Sequence, residues 1–131
     1  MSPIKDKKVE IINLTKGKLP RLPFSDMKDS VLGKNYELSL TIVGPSKIHE
    51  LNKRYRNMNM PTDILSFTLS KNEGEIFICP SLSRREAKKF NRTYENFIGF
   101  LFIHGLLHLK GMDHSSTMEA EEAKYRSKFK I

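Results

Sequence analysis

The sequence is poor in cysteine and has no long apolar run. Its 131 residues include one cysteine, Cys79, so no intramolecular disulfide framework can form and a reducing compartment is expected. Residues 1–8 lack the apolar region of a secretory signal. The longest apolar stretch, 97–109, is broken by two histidines and two glycines and is too short to cross a bilayer. These absences predict a soluble, cytoplasmic protein without a membrane partner.

Acidic side chains are outnumbered by basic ones. The chain has 15 Asp and Glu against 23 Lys and Arg, which gives a formal net charge of +8. Such an excess favours polyanionic partners, either nucleic acid or an anionic membrane surface. Solubility alone also accounts for a basic surface on a small protein, so the charge by itself leaves the partner open.

Internal repeats, low-complexity tracts and long linkers are also absent, and the length predicts one domain over residues 1–131. Within it, four segments have strand-like patterns. The clearest alternates apolar and polar residues over 36–43, as a half-buried strand does. The other three are 9–14, 64–69 and 75–79, the last two joined by a predicted turn around 72–74.

Turn and capping residues mark five predicted helices. The predictions are a helix over 24–32 ending at Gly33; one from Ser46 to about Arg54, with Ile48 and Leu51 facing inward; one opened by a Ser83–Glu86 capping box and running to about Phe90; one capped by Thr93; and a polar C-terminal one opened by Ser116 and Glu119. The helix after Thr93 is apolar on nearly every side, which places it in the middle of the fold. This element pattern allows an α+β or an α/β architecture. We favour α+β, a small mixed sheet of about four strands covered by four or five helices.

Three of the four histidines fall within eleven residues at the end of this apolar helix. His104 and His108 are four apart, so their imidazoles lie on one helix face, one turn apart. Gly111 can take the left-handed backbone angles that turn the chain back after a helix, which would bring His114 towards the same point. Three imidazoles with a fourth position open to water are the layout of a catalytic zinc site. The spacing therefore predicts one Zn²⁺ per chain, held by these three histidines.

A structural interpretation competes with the metal site, because histidines on apolar helices are often core or capping residues. A buried pair without a partner would carry a desolvation cost, however, and the clustering of three favours the metal site. The fourth histidine, His49, lies on the helix predicted after Ser46 and is interpreted as a surface residue.

The helix differs from the H-E-x-x-H motif of zinc peptidases at one position. Gly105 stands where those enzymes carry the glutamate that acts as general base, which argues against peptide hydrolysis by that route. Asp113, next to His114, is the candidate that remains. It could accept a hydrogen bond from a ligand imidazole, which we favour, or serve as a base.

The run from His104 to His114, H-G-L-L-H-L-K-G-M-D-H, resembles the signature of the YbeY family, the bacterial rRNA-maturation endoribonucleases. Residues 49–56 and 61–67 are similar to the family pattern L-N-x-x-Y/F-R followed by P-T-D-V-L-S-F, and residues 74–80 to its G-D-I-x-I-C strand. Together the segments cover the chain from about residue 38 to 114, in the family's order. Two positions depart from the pattern: Asn57 stands where Gly is common, and Glu75 replaces Asp.

The resemblance implies a zinc-dependent endoribonuclease for single-stranded RNA that acts in 16S rRNA 3′-end maturation and ribosome quality control. Its partners would be rRNA and the ribosome or ribosomal proteins. The three histidines carry over as metal ligands, and Arg56 matches the family's functional arginine. We take Arg56 and Asp113 as the candidate catalytic residues. A guanidinium can hold a phosphate through two parallel hydrogen bonds and stabilise developing charge.

Two other functions stay open at the level of sequence. One is a metal hydrolase of another substrate, such as a peptidase, against which Gly105 and the basic charge count. The other is a non-catalytic ribosome-assembly or RNA-binding factor whose zinc fixes the turn after the helix. Basic residues around 84–92 and 124–130 fit salt-dependent contacts to RNA phosphates, and they fit a solvated helix surface equally well. Either water or the RNA's own 2′-hydroxyl could be the nucleophile.

Overall fold

The computed structural model describes residues 9–131. The expectation that residues 1–8 are no secretory signal therefore lies outside the described residues. The described chain contains these elements in order: β1 (Glu10–Asn13), α1 (Phe24–Leu32), β2 (Glu37–Ile42), α2 (Pro45–Arg56), β3 (Ile64–Ser70), β4 (Glu73–Ile78), α3 (Pro80–Lys89), α4 (Tyr94–Leu109) and α5 (Ser116–Phe129). Four strands and five helices confirm the predicted α+β class. Within this range, no helix is both long and apolar enough to cross a bilayer.

The strands form one mixed sheet in the order β1-β2-β4-β3. β1 pairs with β2, and β2 with β4, in parallel, whereas β3 and β4 form an antiparallel hairpin. The hairpin turn is shorter than predicted. Ser70 pairs with Glu73, so only Lys71 and Asn72 lie between the strands.

The prediction that residues 73 and 74 belong to that turn is wrong, and packing explains why. Gly74 is a buried strand residue, and a Cβ there would clash with the Tyr36 hydroxyl and lie 3.0 Å from Leu109 Cδ2. The glycine is therefore needed for the close approach of two neighbouring side chains. In sequence, the same residue looks like a turn signal.

α4 occupies the centre of the core, as its apolar composition predicted. Ten of its sixteen residues are buried, and it packs against the sheet on one side and against α1, α3 and α5 on others. A smaller apolar cluster lies between α2 and the opposite face of the sheet. Its buried members are Val43, Ile48, Leu51, Leu65 and Cys79. The inward orientation of Ile48 and Leu51 is thus confirmed, and Cys79 is a core residue.

Two helices begin earlier than their serine signals indicated, because a proline starts each of them. α2 begins at Pro45 with Gly44 as N-cap, and α3 begins at Pro80 with Cys79 as N-cap. Proline suits the first helical position, where the missing N–H would be unpaired in any case. Ser46 therefore caps nothing. Ser83 lies inside α3, where its hydroxyl donates to the Cys79 carbonyl at 2.8 Å.

The caps of the last two helices are serine and threonine side chains. Thr93 caps α4 as predicted, accepting a hydrogen bond from the Asn96 N–H at 3.1 Å. The prediction that Ser116 caps α5 is wrong by one residue, because Ser115 accepts the Met118 N–H at 3.2 Å. Because Ser115 and Ser116 are adjacent and both suit an N-cap, the sequence alone does not show at which of them the helix begins.

α2 extends to Arg56, two residues beyond its predicted end at Arg54. Asn57 ends the helix in the left-handed conformation (φ 57°, ψ 32°), and its N–H donates to the Asn52 carbonyl. Asparagine tolerates this conformation better than most residues, so it replaces the glycine that is common at this point in the resembled family. The turn places Arg56 at the end of α2, beside β3.

Candidate metal centre

His104 and His108 lie on the last two turns of α4, with their Nε2 atoms 3.0 Å apart. The Nδ1 of His108 lies 3.0 Å from the Met112 carbonyl oxygen. Because a carbonyl oxygen can only accept, this Nδ1 carries the proton and leaves Nε2 with its lone pair. The protein therefore turns the metal-binding nitrogen of His108 towards His104.

His114 joins them because the chain reverses directly after α4. Gly111 adopts φ 99°, and the Met112 N–H donates back to the Leu107 carbonyl at 3.0 Å. The His114 ring centroid then lies 5.0 Å from that of His104 and 5.1 Å from that of His108. One ligand nitrogen from each of the three rings lies within 4.8 Å of the others. The structure thus brings together the three histidines that the spacing selected.

The donor set fits a tetrahedral metal ion. Nitrogens bound at about 2.0–2.1 Å to a tetrahedral zinc lie about 3.3 Å from one another, close to the 3.0 Å between the two helical Nε2 atoms. Burial, followed by the charge of its neighbour His104, lowers the pKa of His108 below its ordinary value. A lowered pKa keeps this imidazole neutral, which is the form that binds a metal.

Glu122 on α5 is a site residue that the sequence did not reveal. Its Oε1 lies 2.5 Å from Nδ1 of His104, and both side chains are largely buried. A carboxylate that accepts the Nδ1–H fixes the ring and leaves the Nε2 lone pair free. The Nε2 lone pairs of His104 and His108 then face each other across 3.0 Å and repel each other. A cation between them, either a proton or a metal ion, removes this repulsion.

Asp113 was predicted from the sequence to accept a hydrogen bond from a ligand imidazole. It is exposed and lines a cleft beside the histidines. No hydrogen bond joins it to an imidazole among the described residues. Its part in the chemistry stays a prediction. Glu122 escaped notice because it is eighteen residues from His104 and reaches it only through the packing of α5 on α4.

A cleft of about 860 Å³ opens beside the histidines. His104 and His108 line it from α4, Tyr55 and Arg56 from the end of α2, and residues 64–68 from β3. The same cleft is therefore lined by two of the three predicted metal ligands, His104 and His108, and by the predicted arginine, Arg56. His49, the fourth histidine, lies apart from them on α2, hydrogen-bonded to the Asn59 side chain at 2.9 Å.

The Arg56 guanidinium is held by two contacts although the residue is exposed. Its Nη2 donates to the Ser66 carbonyl, and its Cζ lies 4.9 Å from the centroid of the Phe67 ring. Tyr55 packs edge-on against the same ring, with centroids 5.6 Å apart. These contacts order a long side chain, and because Arg56 is exposed its other N–H donors stay accessible to an anion.

His104 also lines a second, smaller depression of about 380 Å³ with an acidic and aromatic lining. Its carboxylates are those of Asp63, Glu86, Glu119 and Glu122. Burial, reinforced by the charge of Glu86, raises the pKa of the Asp63 carboxyl above its ordinary value, against the opposing effects of nearby backbone N–H groups and His104. His104 thus lines both the cleft that contains Arg56 and a depression rich in carboxylates.

Comparison with known proteins gives consistent matches. A family model described as "Endoribonuclease YbeY" matches residues 5–129. Curated relatives with the same name include those of Staphylococcus carnosus (34% identical, covering 77% of this chain and 74% of that protein), Thermotoga neapolitana (36%, 81% and 74%) and Bacillus subtilis (37%, 66% and 64%). The solution structure of TM1509 from Thermotoga maritima superposes with a TM-score of 0.65 at 30% identity, covering 89% of this chain and 85% of that one.

Proposed function

Because the chain belongs to the YbeY endoribonuclease family, as the family match over residues 5–129 shows, we propose that residues 1–131 form one metal-dependent domain that cleaves single-stranded RNA. The proposed setting is the cytoplasm, in maturation of the 16S rRNA 3′ end and in ribosome quality control, with the ribosome or ribosomal proteins as partners. The observation that carries the proposal is the shared cleft, in which two of the three clustered histidines lie with an ordered arginine.

The proposed cofactor is one Zn²⁺ held by His104, His108 and His114. When bound, it would polarise a phosphate oxygen and lower the pKa of a bound water to about 7. The chain prepares this site in two ways. The Met112 carbonyl and the Glu122 carboxylate hold the Nδ1 protons of the two helical histidines. Both Nε2 atoms are thereby left as ligands.

The substrate phosphate is proposed to bind Arg56. This guanidinium is oriented by the Ser66 carbonyl and the Phe67 ring, so little side-chain freedom is lost when a phosphate binds. A fixed positive charge near the phosphate also stabilises the charge that develops in the transition state. Asp113, exposed in the same cleft, is proposed to act on a ligand imidazole or on the nucleophile.

Product chemistry identifies the nucleophile. Attack by the adjacent 2′-hydroxyl leaves a 2′,3′-cyclic phosphate, whereas attack by water does not. A single 2′-O-methyl group at the cleaved nucleotide blocks only the first route. Cleavage that survives this substitution would assign the reaction to water.

The test combines metal analysis with RNA cleavage. Protein purified without chelator is expected to contain about one zinc per chain and to cleave single-stranded RNA faster than duplex. His108→Ala is expected to lose both properties. His49→Ala is the matched control, because His49 lies outside the cluster and should keep both.

Two outcomes would overturn the proposal. Absence of bound metal after incubation with zinc would leave the histidines as structural residues of an RNA-binding protein. Full cleavage activity in metal-free His108→Ala would place the chemistry elsewhere.

A further inference from the structure

Two arginines from separate parts of the fold meet over one aromatic ring near the metal centre. Arg92 lies in the connection between α3 and α4, and Arg126 lies on α5. Their guanidinium carbons are 4.9 and 5.7 Å from the ring centroid of Phe100. The face of an aromatic ring attracts a cation, so the ring helps to hold both guanidinium groups, whose carbons are therefore at most about 11 Å apart.

The two arginines have no directly paired carboxylate, although Phe100 also lines the depression that contains Glu86, Glu119 and Glu122. Both residues are half-buried, and within residues 9–131 neither forms an ion pair with a carboxylate. The polar partner of Arg92 is the neutral side-chain oxygen of Asn96. Burial, together with the charge of Arg126, lowers the pKa of Arg92 below its ordinary value.

Arg126 also has an unsatisfied donor. Its Nε is buried and has no hydrogen-bond partner. Most buried polar groups in native proteins are paired, and an unpaired one costs free energy. A phosphate that contacts the outer nitrogens of the two guanidinium groups would bring negative charge to the pair, whereas the buried Nε itself is closed to a ligand from solvent.

The position of the pair relative to the metal centre indicates which anion binds. Phe100 is one turn before His104 on α4, and their ring centroids are 6.4 Å apart. Since Arg92 lies 4.9 Å from the Phe100 centroid, its guanidinium carbon is at most about 11 Å from the His104 ring. At the ~3.4 Å spacing of a stacked strand, that distance corresponds to about three nucleotides or fewer.

We propose that Arg92 and Arg126 form a second phosphate-binding site, which holds a backbone phosphate of the RNA strand a few nucleotides from the cleaved bond. The inference rests on the proposed function, since the ligand is the substrate of that site. The pair lies on the Phe100 side of His104, outside the cleft that holds Arg56. A strand bound to both arginine sites would be held on either side of the metal centre.

The experiment uses the zinc-loaded protein and a series of short single-stranded 2′-O-methyl oligonucleotides. Each oligonucleotide carries one uncharged methylphosphonate linkage, moved stepwise along the strand, and a gel after each titration checks that the strand is intact. Affinity is measured for the wild type, for Arg92→Gln/Arg126→Gln, and for a control variant with the same reduction in charge. The control is Lys16→Gln/Lys18→Gln, two exposed residues in the connection between β1 and α1.

In the wild type, the neutral linkage is expected to weaken binding about tenfold at one position away from the cleaved bond. In Arg92→Gln/Arg126→Gln that position should have no effect, and the slope of log affinity against log salt should fall by about 0.7 for each phosphate that the variant no longer neutralises. The control variant should keep the position-specific effect. Arg92→Lys/Arg126→Lys should keep most of the salt slope, which separates removal of charge from altered packing on Phe100.

Two results would overturn the inference. Only the second of them would also overturn the proposed function. If Arg92→Gln/Arg126→Gln folds, cleaves RNA and shows the wild-type position profile, the pair binds no RNA phosphate while the proposed function stands. If the wild type itself neither binds nor cleaves RNA, the proposed function fails and the second site fails with it.

Discussion

Replacement of Glu122 by glutamine tests whether this carboxylate prepares the metal centre. Glu122→Gln keeps the size of the side chain and removes its charge. The amide oxygen can still accept the Nδ1–H of His104, but as a weaker partner than an ionised carboxylate at 2.5 Å. We expect zinc to bind more weakly because the imidazole becomes a less basic ligand and its orientation less fixed.

The magnitude follows from related sites. Removing the hydrogen-bond acceptor of a metal-bound histidine lowers metal affinity by roughly 10- to 100-fold, which is about 1.4–2.7 kcal/mol of binding free energy. Because the glutamine oxygen still accepts the Nδ1–H, we expect a loss in the lower part of this range; the Glu122 side chain is only 14% exposed, so water cannot readily replace the carboxylate and a measurable loss remains.

The assay is competition for zinc with a chromophoric chelator at neutral pH. Glu119→Gln is the matched control, because Glu119 lies one turn earlier on α5, lines the same depression and is exposed. It removes the same charge without touching His104. An electrostatic effect of the whole depression would weaken both variants equally, whereas the specific contact predicts weaker binding in Glu122→Gln alone.

The reasoning would be refuted by a Glu122→Gln protein whose zinc affinity lies within about twofold of the wild type, well below the expected change. A decrease in Glu119→Gln as large as in Glu122→Gln would refute the specific contact and leave only the general effect of negative charge.

Three further predictions concern the cleft, the acidic depression and the packing of the sheet. Arg56→Ala should lower the single-turnover rate of RNA cleavage by about 100-fold. Its zinc content should stay unchanged, because Arg56 is no metal ligand. A variant that cleaves as fast as the wild type would show that Arg56 takes no part in catalysis. The pKa of Asp63 is raised in the folded state. Above that pKa the ionised carboxylate therefore lowers the free energy of unfolding. This cost disappears as the pH falls below the pKa of the unfolded chain, about 3.9. Asp63→Asn should therefore raise the Tm of the metal-free protein near neutral pH, with a gain that shrinks towards pH about 4; a gain that grows in acid would contradict the burial argument. Gly74→Ala should lower the free energy of unfolding in urea by about 1–3 kcal/mol, since its Cβ would clash with the Tyr36 hydroxyl. Gly99→Ala should cost less, because its Cβ meets only the side chain of the last residue, Ile131.

The features that could be predicted from the sequence are those that depend on residues close together in the chain. The apolar residues of β2 and of α4 are buried as their patterns predicted, although Thr41, on the predicted polar face of β2, is buried as well. The histidine cluster is equally local. His104 and His108 are related by one helical turn, and Gly111 brings His114 back within a few residues.

Contacts between distant segments could not be predicted from the sequence. Glu122 on His104 and Arg126 on Phe100 depend on how α5 packs against α4, and nothing in the polar pattern of α5 distinguishes these residues from other charged ones. Some local signals were also ambiguous. Gly74 looks like a turn residue in sequence but belongs to a strand, since its reason for being glycine is the close approach of Tyr36 and Leu109.

The glycine at position 105 has a structural reason that the H-E-x-x-H motif of zinc peptidases does not reveal. A Cβ there would lie 3.0 Å from Ile76 Cδ1 and 3.1 Å from Ile64 Cδ1, closer than an ordinary contact, so a larger residue would require these two side chains of β3 and β4 to shift. β3 carries Ser66, whose carbonyl holds the guanidinium of Arg56. Any shift of β3 itself would also move this cation relative to the histidines. A peptidase needs a base at this helical position, whereas cleavage of a phosphodiester benefits from a fixed positive charge on the phosphate. In this fold the close packing at Gly105 leaves little room for such a base, and the neighbouring strand β3 holds the arginine.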